Sequence, residues 1–246
     1  MSDAIATPYD AGKILIPRGY FCMVDGGMLA GKSLLAHLLF ERWQNVVGSQ
    51  KKTKCRGQMF TPAVDNRGGV GYVTIHSTAE NGTPYMTVPA QVVEYMEEIP
   101  AYCDEHPDVG LVVIDEGHMY KGQHAKSIET LNRRGIHVIG TYLNTDFGAM
   151  DFPMPNGEET TGSIRATAQK HVELFAFCDM VDDDGEICGA FATYSQRFFQ
   201  DGRLAPLDSG TIAIGGKQGR DIEHKFCYRP VCEAHYKKPP ATMVDL

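Results

Sequence analysis

The chain has 246 residues, of which 43% are hydrophobic and 22% charged, a composition typical of a globular protein with a sizeable core. Its net charge of −8 argues against a broad basic surface that coats duplex nucleic acid, so we expect no nucleic-acid partner, with a local basic groove as the open alternative. No apolar run approaches the roughly 20 residues of a membrane helix, and residues 1–12 lack the pattern of a secretory signal, so we expect a cytoplasmic protein with no membrane partner.

The first half of the chain alternates short apolar runs with stretches of helical periodicity. Strands are predicted where β-branched and aromatic residues cluster, at residues 20–24, 70–76, 109–114 and 136–143. Helices are predicted at residues 34–43, 88–102 and 127–134. This alternation predicts an α/β fold with a mainly parallel sheet covered by helices.

The second half differs in composition and in the length of its predicted elements. Residues 148–162 form a loop rich in proline, glycine and acidic side chains, and residues 164–177 predict an amphipathic helix that runs into a strand. After Cys178 the chain consists of short strands, turns and cysteines. We therefore predict an α/β domain over residues 1–165 and a smaller domain over residues 166–246.

A glycine-rich loop lies between the first predicted strand and the first predicted helix. It matches G-x-x-x-x-G-K-[ST] over Gly26, Gly27, Met28, Leu29, Ala30, Gly31, Lys32 and Ser33. Backbone N–H groups of such a P-loop, together with the helix N-terminus, surround phosphate oxygens. Lys32 is expected to reach the β- and γ-phosphates and Ser33 to hold Mg²⁺, so the loop predicts a nucleoside triphosphate site.

Two carboxylates follow the apolar strand at residues 109–114. Asp115 and Glu116 therefore stand at the carboxyl end of a parallel strand, where such sheets bind ligands. Asp115 suits the Walker B role of holding Mg²⁺, and Glu116 suits a general base that takes a proton from an attacking hydroxyl or water. The pair predicts phosphoryl transfer in addition to nucleotide binding.

Cysteine and histidine residues in the second half have spacings that suit a metal site. Cys232 and His235 form a C-x-x-H pair, and Cys178 and Cys188 flank an acidic turn. In a reducing compartment such residues are metal ligands more often than disulfides. Four ligands complete a tetrahedral structural Zn²⁺ site, with Cys227 as an open alternative for one place.

Together these motifs resemble the type II thymidine kinases, the zinc-containing family, in order and spacing over about residues 21–238. Met is typical of that family at the third P-loop position. Other segments that resemble it are Pro62-Ala63-Val64-Asp65-Asn66-Arg67, Ile114-Asp115-Glu116-Gly117, Leu143-Asn144-Thr145-Asp146-Phe147, Ser195-Gln196-Arg197 and Ile214-Gly215-Gly216. The resemblance implies a RecA-like P-loop core, a small zinc-binding domain with a lasso loop, and a homotetramer.

The resemblance also implies an activity and its residues. The activity is transfer of a phosphoryl group from ATP, with Mg²⁺, to the 5′-hydroxyl of deoxythymidine, with Glu116 as the general base. Asp65 and Arg67 join the nucleotide site. The implied nucleoside site comprises Met28, Met119, Leu143, Phe147, Phe152, Ser195, Tyr228 and the lasso residues Ala213, Ile214 and Gly215.

The chain departs from the family pattern at several places. His118 stands where the family usually has glutamine, and Met119 stands where it usually has an aromatic residue. The first zinc pair is C-x₉-C instead of C-x-x-C, and residues 216–228 form a longer span than usual. Three alternatives stay open: a kinase for another pyrimidine deoxynucleoside, a P-loop ATPase acting on a macromolecule, and a nucleotide-binding protein without turnover.

Overall fold

The computed structural model describes residues 19–48, 54–65, 69–76, 84–210 and 226–242. The strands are β1 (Phe21–Gly26), β2 (Arg56–Pro62), β3 (Tyr72–His76), β4 (Pro84–Pro89), β5 (Gln91–Val93), β6 (Val109–Ile114), β7 (His137–Leu143), β8 (Lys170–Leu174), β9 (Ala176–Phe177), β10 (Phe191–Ala192), β11 (Tyr194–Phe199) and β12 (Phe226–Val231). The helices are α1 (Lys32–Val47), α2 (Glu98–Glu105), α3 (His124–Arg133) and α4 (Thr161–Arg165), with single 3₁₀ turns at Gly117–Met119 and Leu207–Ser209.

Six strands form one sheet in the order β5-β2-β6-β7-β1-β8. Every neighbouring pair in this sheet runs parallel. All six residues of β6 are buried, as expected for a parallel strand covered on both faces. The predicted α/β fold with a mainly parallel sheet is thus confirmed.

Two apolar clusters fill the two faces of the sheet. Along β6, Val112 and Ile114 join a cluster that contains Ile99 of α2 and Ile128 of α3. The alternate residues of the same strand pack with α1 and with the antiparallel ribbon formed by β3 and β4. Side chains that alternate between two layers of cover hold β1, β6 and β7 in place, and their carboxyl ends form the rim on which the site is built.

No strand was predicted at β2, and one strand that was predicted lies outside the six-stranded sheet. Residues 56–62, for which no strand was predicted, form β2 between β5 and β6. The strand predicted at residues 70–76 is real, but it pairs only with β4, outside the six-stranded sheet. The first three residues of β2 are polar or glycine and only part-buried, so the sequence shows no continuous apolar run there; Met59 and the strand residues after it are buried.

Two predicted helices were too long. Residues 88–93 of the predicted helix at 88–102 belong to β4 and β5, and α2 begins at Glu98. Pro100 explains this start, because proline is tolerated in the first turn of a helix but not in its interior. The amphipathic helix predicted within residues 164–177 ends at Arg165, and the strand predicted to follow it is β8, an edge strand beside β1. Half-exposed residues of β8 gave the polar alternation that resembled an amphipathic helix.

The second half of the chain adds two short antiparallel pairs, β9 with β10 and β11 with β12. Their apolar cluster is small and consists of Ala176, Cys178, Ala192, Val231 and Cys232. The division at residues 165 and 166 stays a prediction, while the pairing of β8 with β1 extends the main sheet to Leu174. Among the described residues, no helix has the length and apolar character needed to span a bilayer.

Candidate active site and metal centre

The P-loop connects the end of β1 to the start of α1. Only glycine fits at position 26, because a Cβ there would lie 2.1 Å from the carbonyl oxygen of Leu174. Gly31, just before the helix, has a φ of 84°, a conformation that favours glycine. The Lys32 ammonium donates to the carbonyl oxygens of Gly26 and Gly27 at 3.1 and 2.6 Å. The loop therefore folds around its own lysine at a helix N-terminus, an arrangement suited to phosphate.

Asp115 lies beside the first turn of α1. The Ser33 hydroxyl donates to its carboxylate at 2.7 Å, and the Thr141 hydroxyl donates to the same oxygen at 2.8 Å. Burial, and secondarily the negative charge of Glu116, raises the pKa of Asp115 to about 7. Adjacent hydroxyl and carboxylate oxygens are ligands that Mg²⁺ prefers, and the cation would offset the cost of burying this charge. The donor set therefore fits Mg²⁺.

Glu116 has an unusual backbone conformation. Its φ and ψ are both 48°, in the left-handed region that a non-glycine residue rarely occupies. Its backbone N–H donates to the Thr141 hydroxyl at 2.9 Å, which fixes this conformation. Its side chain is 17% exposed, so the carboxylate reaches the site next to Asp115 without being freely solvated. Such strain is concentrated at functional positions.

The structure brings several of the predicted nucleoside-site residues together. Phe152 packs edge-on against the His118 ring, with centroids 4.6 Å apart. The backbone N–H of Leu143 donates to the same His118 ring. Phe147 and Tyr228 meet through Arg197, whose guanidinium carbon lies 4.0 and 5.0 Å from their ring centroids. The part-buried Met119 ends the 3₁₀ turn after Glu116.

Arg197 is a residue whose role the sequence did not reveal. It is completely buried on β11, and its Nε donates to the Tyr228 hydroxyl at 2.7 Å. Its Nη1 donates to Ser209 Oγ and to the Gly210 carbonyl, at 3.1 and 2.5 Å. The aromatic faces and hydrogen bonds hold the buried arginine, and the arginine in turn fixes Phe147 and Tyr228 relative to each other. The only hint in the sequence was a charged residue within an otherwise strand-like segment.

Ser195 connects the two halves of the chain. Its buried hydroxyl accepts a 2.7 Å hydrogen bond from the backbone N–H of Met28 in the P-loop.

Of the remaining predicted site residues, Asp65 is near enough to Asp115 to contribute to the raised pKa of Asp115, after the larger effects of burial and Glu116. Four predicted site residues lie outside the described residues: Arg67, Ala213, Ile214 and Gly215.

A buried ion-pair network supports the strand that leads into the P-loop. Asp25 is completely buried, and its carboxylate accepts hydrogen bonds from Arg165 at 2.7 Å and from His171 at 2.7 Å. Sequence reasoning missed this network because its members are about 140 residues apart along the chain.

We expect Asp25→Asn to lower the free energy of unfolding by about 2 kcal/mol, because the buried carboxylate loses its hydrogen bonds to Arg165 and His171, two side chains that keep about one third of their surface in solvent. Urea unfolding monitored by circular dichroism measures this change. The matched control is Glu129→Gln, which removes the charge from an exposed pair with Arg133 and should cost less than about 1 kcal/mol. An equal effect of the two substitutions would contradict the prediction.

The predicted metal ligands Cys178, Cys188, Cys232 and His235 converge, with all four ligand atoms within 4.8 Å of one another. The Sγ atoms of Cys178 and Cys232 lie 3.5 and 3.4 Å from His235 Nδ1, and those of Cys188 and Cys232 are 3.9 Å apart. A tetrahedral Zn²⁺ with bonds of about 2.3 Å to sulfur and 2.0 Å to nitrogen separates its sulfurs by about 3.8 Å and sulfur from nitrogen by about 3.5 Å. The cluster therefore fits zinc.

Cys227, the alternative for one ligand place, lies outside this cluster, and its Sγ donates to the Phe199 carbonyl at 3.9 Å. Desolvation opposes ionisation of Cys232, but hydrogen bonds from His235 and the neighbouring cysteines lower the pKa of this thiol to about 7. Thiolate is the form that binds metal. On the other side of the imidazole, His235 Nε2 lies 3.3 Å from the Asp182 carboxylate.

Comparison with known proteins gives consistent results. A sequence model of the family described as thymidine kinase matches residues 19–236. The thymidine kinase of Roseiflexus sp. (strain RS-1) is 34% identical over 174 residues, which cover 70% of this chain and 78% of that protein. Those of Chloroflexus aurantiacus (strain J-10-fl) and Thermococcus kodakarensis are 29% identical and cover 91% and 92% of this chain, and 97% and 98% of their own lengths. The match spans both the P-loop and the cysteine cluster, and the chain belongs to the thymidine kinase family.

Proposed function

We propose that the protein transfers the γ-phosphoryl group of ATP to the 5′-hydroxyl of thymidine, giving dTMP for nucleotide salvage and DNA synthesis. The observation that carries this proposal is the meeting of Lys32, Ser33, Asp115 and Glu116 at the carboxyl ends of β1 and β6. Membership of the thymidine kinase family supports the choice of acceptor.

In this proposal the P-loop binds the triphosphate. Lys32 exchanges its bonds to the Gly26 and Gly27 carbonyls for bonds to phosphate oxygens, which keeps its charge on the group that is transferred. Ser33 and Asp115 would hold Mg²⁺, which would neutralise charge on the phosphates. Arg67, outside the described residues, is proposed to add positive charge, and Asp65 to complete the nucleotide site.

Glu116 acts on the acceptor in this proposal. Its carboxylate takes the proton of the 5′-hydroxyl as the oxygen attacks the γ-phosphorus and the bond to the β-phosphate oxygen breaks. The strained backbone of Glu116, fixed by Thr141, holds the carboxylate at one point beside Asp115. Positioning of this kind supplies much of the rate enhancement in phosphoryl transfer.

The acceptor base is proposed to lie against apolar and aromatic walls. Met28, Met119, Leu143, Phe147, Phe152 and Tyr228 form these walls, and backbone groups of Ala213, Ile214 and Gly215 read the polar edge of the base. Ser195 ties the Met28 backbone to β11, so the phosphate loop and the base site keep a fixed spacing. Arg197 does the same for Phe147 and Tyr228.

The direct test is to incubate the purified protein with ATP, Mg²⁺ and thymidine and to follow dTMP by chromatography. We expect dTMP only when all three are present. A panel with deoxyuridine, deoxycytidine and a 5-substituted deoxyuridine, compared by kcat/KM, measures acceptor preference. ATP hydrolysis that DNA stimulates and thymidine leaves unchanged would overturn the proposal, as would nucleotide binding without any nucleoside product.

The cysteine cluster is proposed to hold a structural Zn²⁺. Cys178, Cys188, Cys232 and His235 fill all four tetrahedral positions, which leaves none for a reacting water. The bound ion would cross-link the ends of β9 and β12. Asp182, in the acidic turn, would accept the Nε2–H of His235 and so keep Nδ1 directed at the metal.

Asp182→Asn should weaken zinc binding by about 10- to 100-fold, because the partner of a ligating histidine fixes its tautomer and raises its basicity. Competition with a chromogenic chelator measures the affinity. Asp184→Asn, in the same turn, is the control and should leave affinity unchanged. If both substitutions behave alike, Asp182 acts only through the charge of the turn.

The resemblance to type II thymidine kinases also implies a homotetramer, which we include in the proposal. Sedimentation equilibrium of the purified protein tests this assembly state. A monomer at micromolar concentration would contradict it.

A further inference from the structure

His118 lies in the 3₁₀ turn directly after Glu116, at the position where the chain departs from the glutamine usual in its family. Its side chain is 1% exposed. Its ring meets Phe152 edge-on at an interplanar angle of 66°. Burial and this contact hold the imidazole in one orientation between the proposed base and the proposed wall of the nucleoside site.

The hydrogen bonding of His118 defines which ring nitrogen carries the proton. The backbone N–H of Leu143 donates to Nδ1 at 3.3 Å, so Nδ1 is an acceptor and bears no proton. The proton of the neutral ring is then on Nε2. A charged imidazolium would place two N–H groups against each other at Leu143, so this contact favours the neutral ring.

The protonated nitrogen faces the proposed base. His118 Nε2 lies 3.7 Å from Glu116 Oε2, longer than a direct hydrogen bond. Catalytic hydrogen bonds are often long before substrate binds and shorten in the complex. Glu116 also has the Asp115 carboxylate as a neighbour, and the two negative charges repel each other. A neutral N–H group that points at the Glu116 carboxylate offsets part of that repulsion without adding a cation.

We infer that His118 is a positioning residue for Glu116. Its Nε2–H holds one carboxylate oxygen, which leaves the other to accept the proton of the acceptor hydroxyl. This inference rests on the proposed function. It also explains why histidine suits this position: a neutral imidazole accepts the Leu143 N–H at one nitrogen and donates toward the Glu116 carboxylate from the other.

The test compares His118→Gln, which keeps an acceptor and a donor, with His118→Leu, which keeps neither. We expect His118→Leu to lower kcat for thymidine about 10- to 100-fold, the effect of losing a hydrogen bond to a charged group, while KM for ATP stays within about threefold. His118→Gln should restore kcat to within about threefold of wild type. Thermal melting of each variant checks that the fold is intact.

A second measurement does not depend on turnover or on the stability of a variant. Long-range ¹H–¹⁵N NMR of histidine-labelled wild-type protein reports the tautomer, and the His118 signal is identified by its loss in His118→Gln. We expect a neutral ring protonated at Nε2. A ring protonated at Nδ1, or a charged ring at neutral pH, would overturn the inference even if His118→Leu were unfolded.

The outcomes separate the inference from the function on which it rests. An active wild type, with His118→Leu equal to wild type in kcat, overturns the positioning role alone. A kcat that falls equally in His118→Leu and His118→Gln also overturns it, because the loss then follows the imidazole shape and not the donor. A wild type that makes no nucleotide from any nucleoside overturns the proposed function and the inference together.

Discussion

Glu116→Gln is expected to lower kcat for thymidine phosphorylation by about 10²- to 10⁴-fold, the range for loss of a general base. Glutamine has the same shape and can occupy the same left-handed backbone, but its amide cannot take the proton of the acceptor hydroxyl. KM for ATP should change little, because Ser33, Asp115 and the P-loop remain. Steady-state kinetics with thymidine and with ATP as the varied substrate measure both quantities.

The control for this substitution is Glu129→Gln, which makes the same chemical change on the exposed face of α3. It should retain wild-type kcat. ATP binding to Glu116→Gln, measured by calorimetry, shows whether the nucleotide site is intact. A Glu116→Gln enzyme with kcat within about threefold of wild type would mean that another group, or water, takes the proton.

Loss of the metal is expected to have the second large effect. The apolar cluster between β9, β10 and β12 has only five buried members, none larger than valine, so it buries too little surface to hold these strands by itself. Structural zinc typically contributes about 10 kcal/mol or more to folding of such a unit. Without it, β11 and β12 should lose their fixed positions, and Ser195 and Arg197 with them.

We therefore expect Cys232→Ser to lower kcat/KM for thymidine at least about 100-fold and to abolish stoichiometric zinc. Mass spectrometry measures the zinc content, and near-ultraviolet circular dichroism shows whether the packing of the aromatic side chains is lost with the metal. Cys227→Ser is the matched control, since this cysteine lies on β12 but outside the four ligands. It should keep one zinc per chain and near wild-type activity. Full activity of zinc-free protein would show that the cluster has no structural role.

Much of the fold follows from local pattern. The strand before the P-loop and the strand before Asp115 were predicted within about two residues, because each is a short apolar run between turn residues. β2 and β8 were missed or misread because one is partly polar and the other is an edge strand with exposed side chains. Their strand character comes from pairing with β6 and β1, partners far away in the chain.

The sequence by itself indicated the P-loop, the carboxylate pair and the four proposed metal ligands, because the chemistry of phosphate or metal requires particular residue types, most of them here at short spacings. Only the tertiary structure decided which distant residues support them. The Asp25 network with Arg165 and His171, the Arg197 contacts and the bond from Met28 to Ser195 join residues more than 10 and up to 167 positions apart. Such contacts depend on how strands stack into a sheet, and no local spacing encodes them. The tautomer of His118 is likewise decided by the tertiary structure, since the Leu143 N–H of β7, 25 residues away, fixes it.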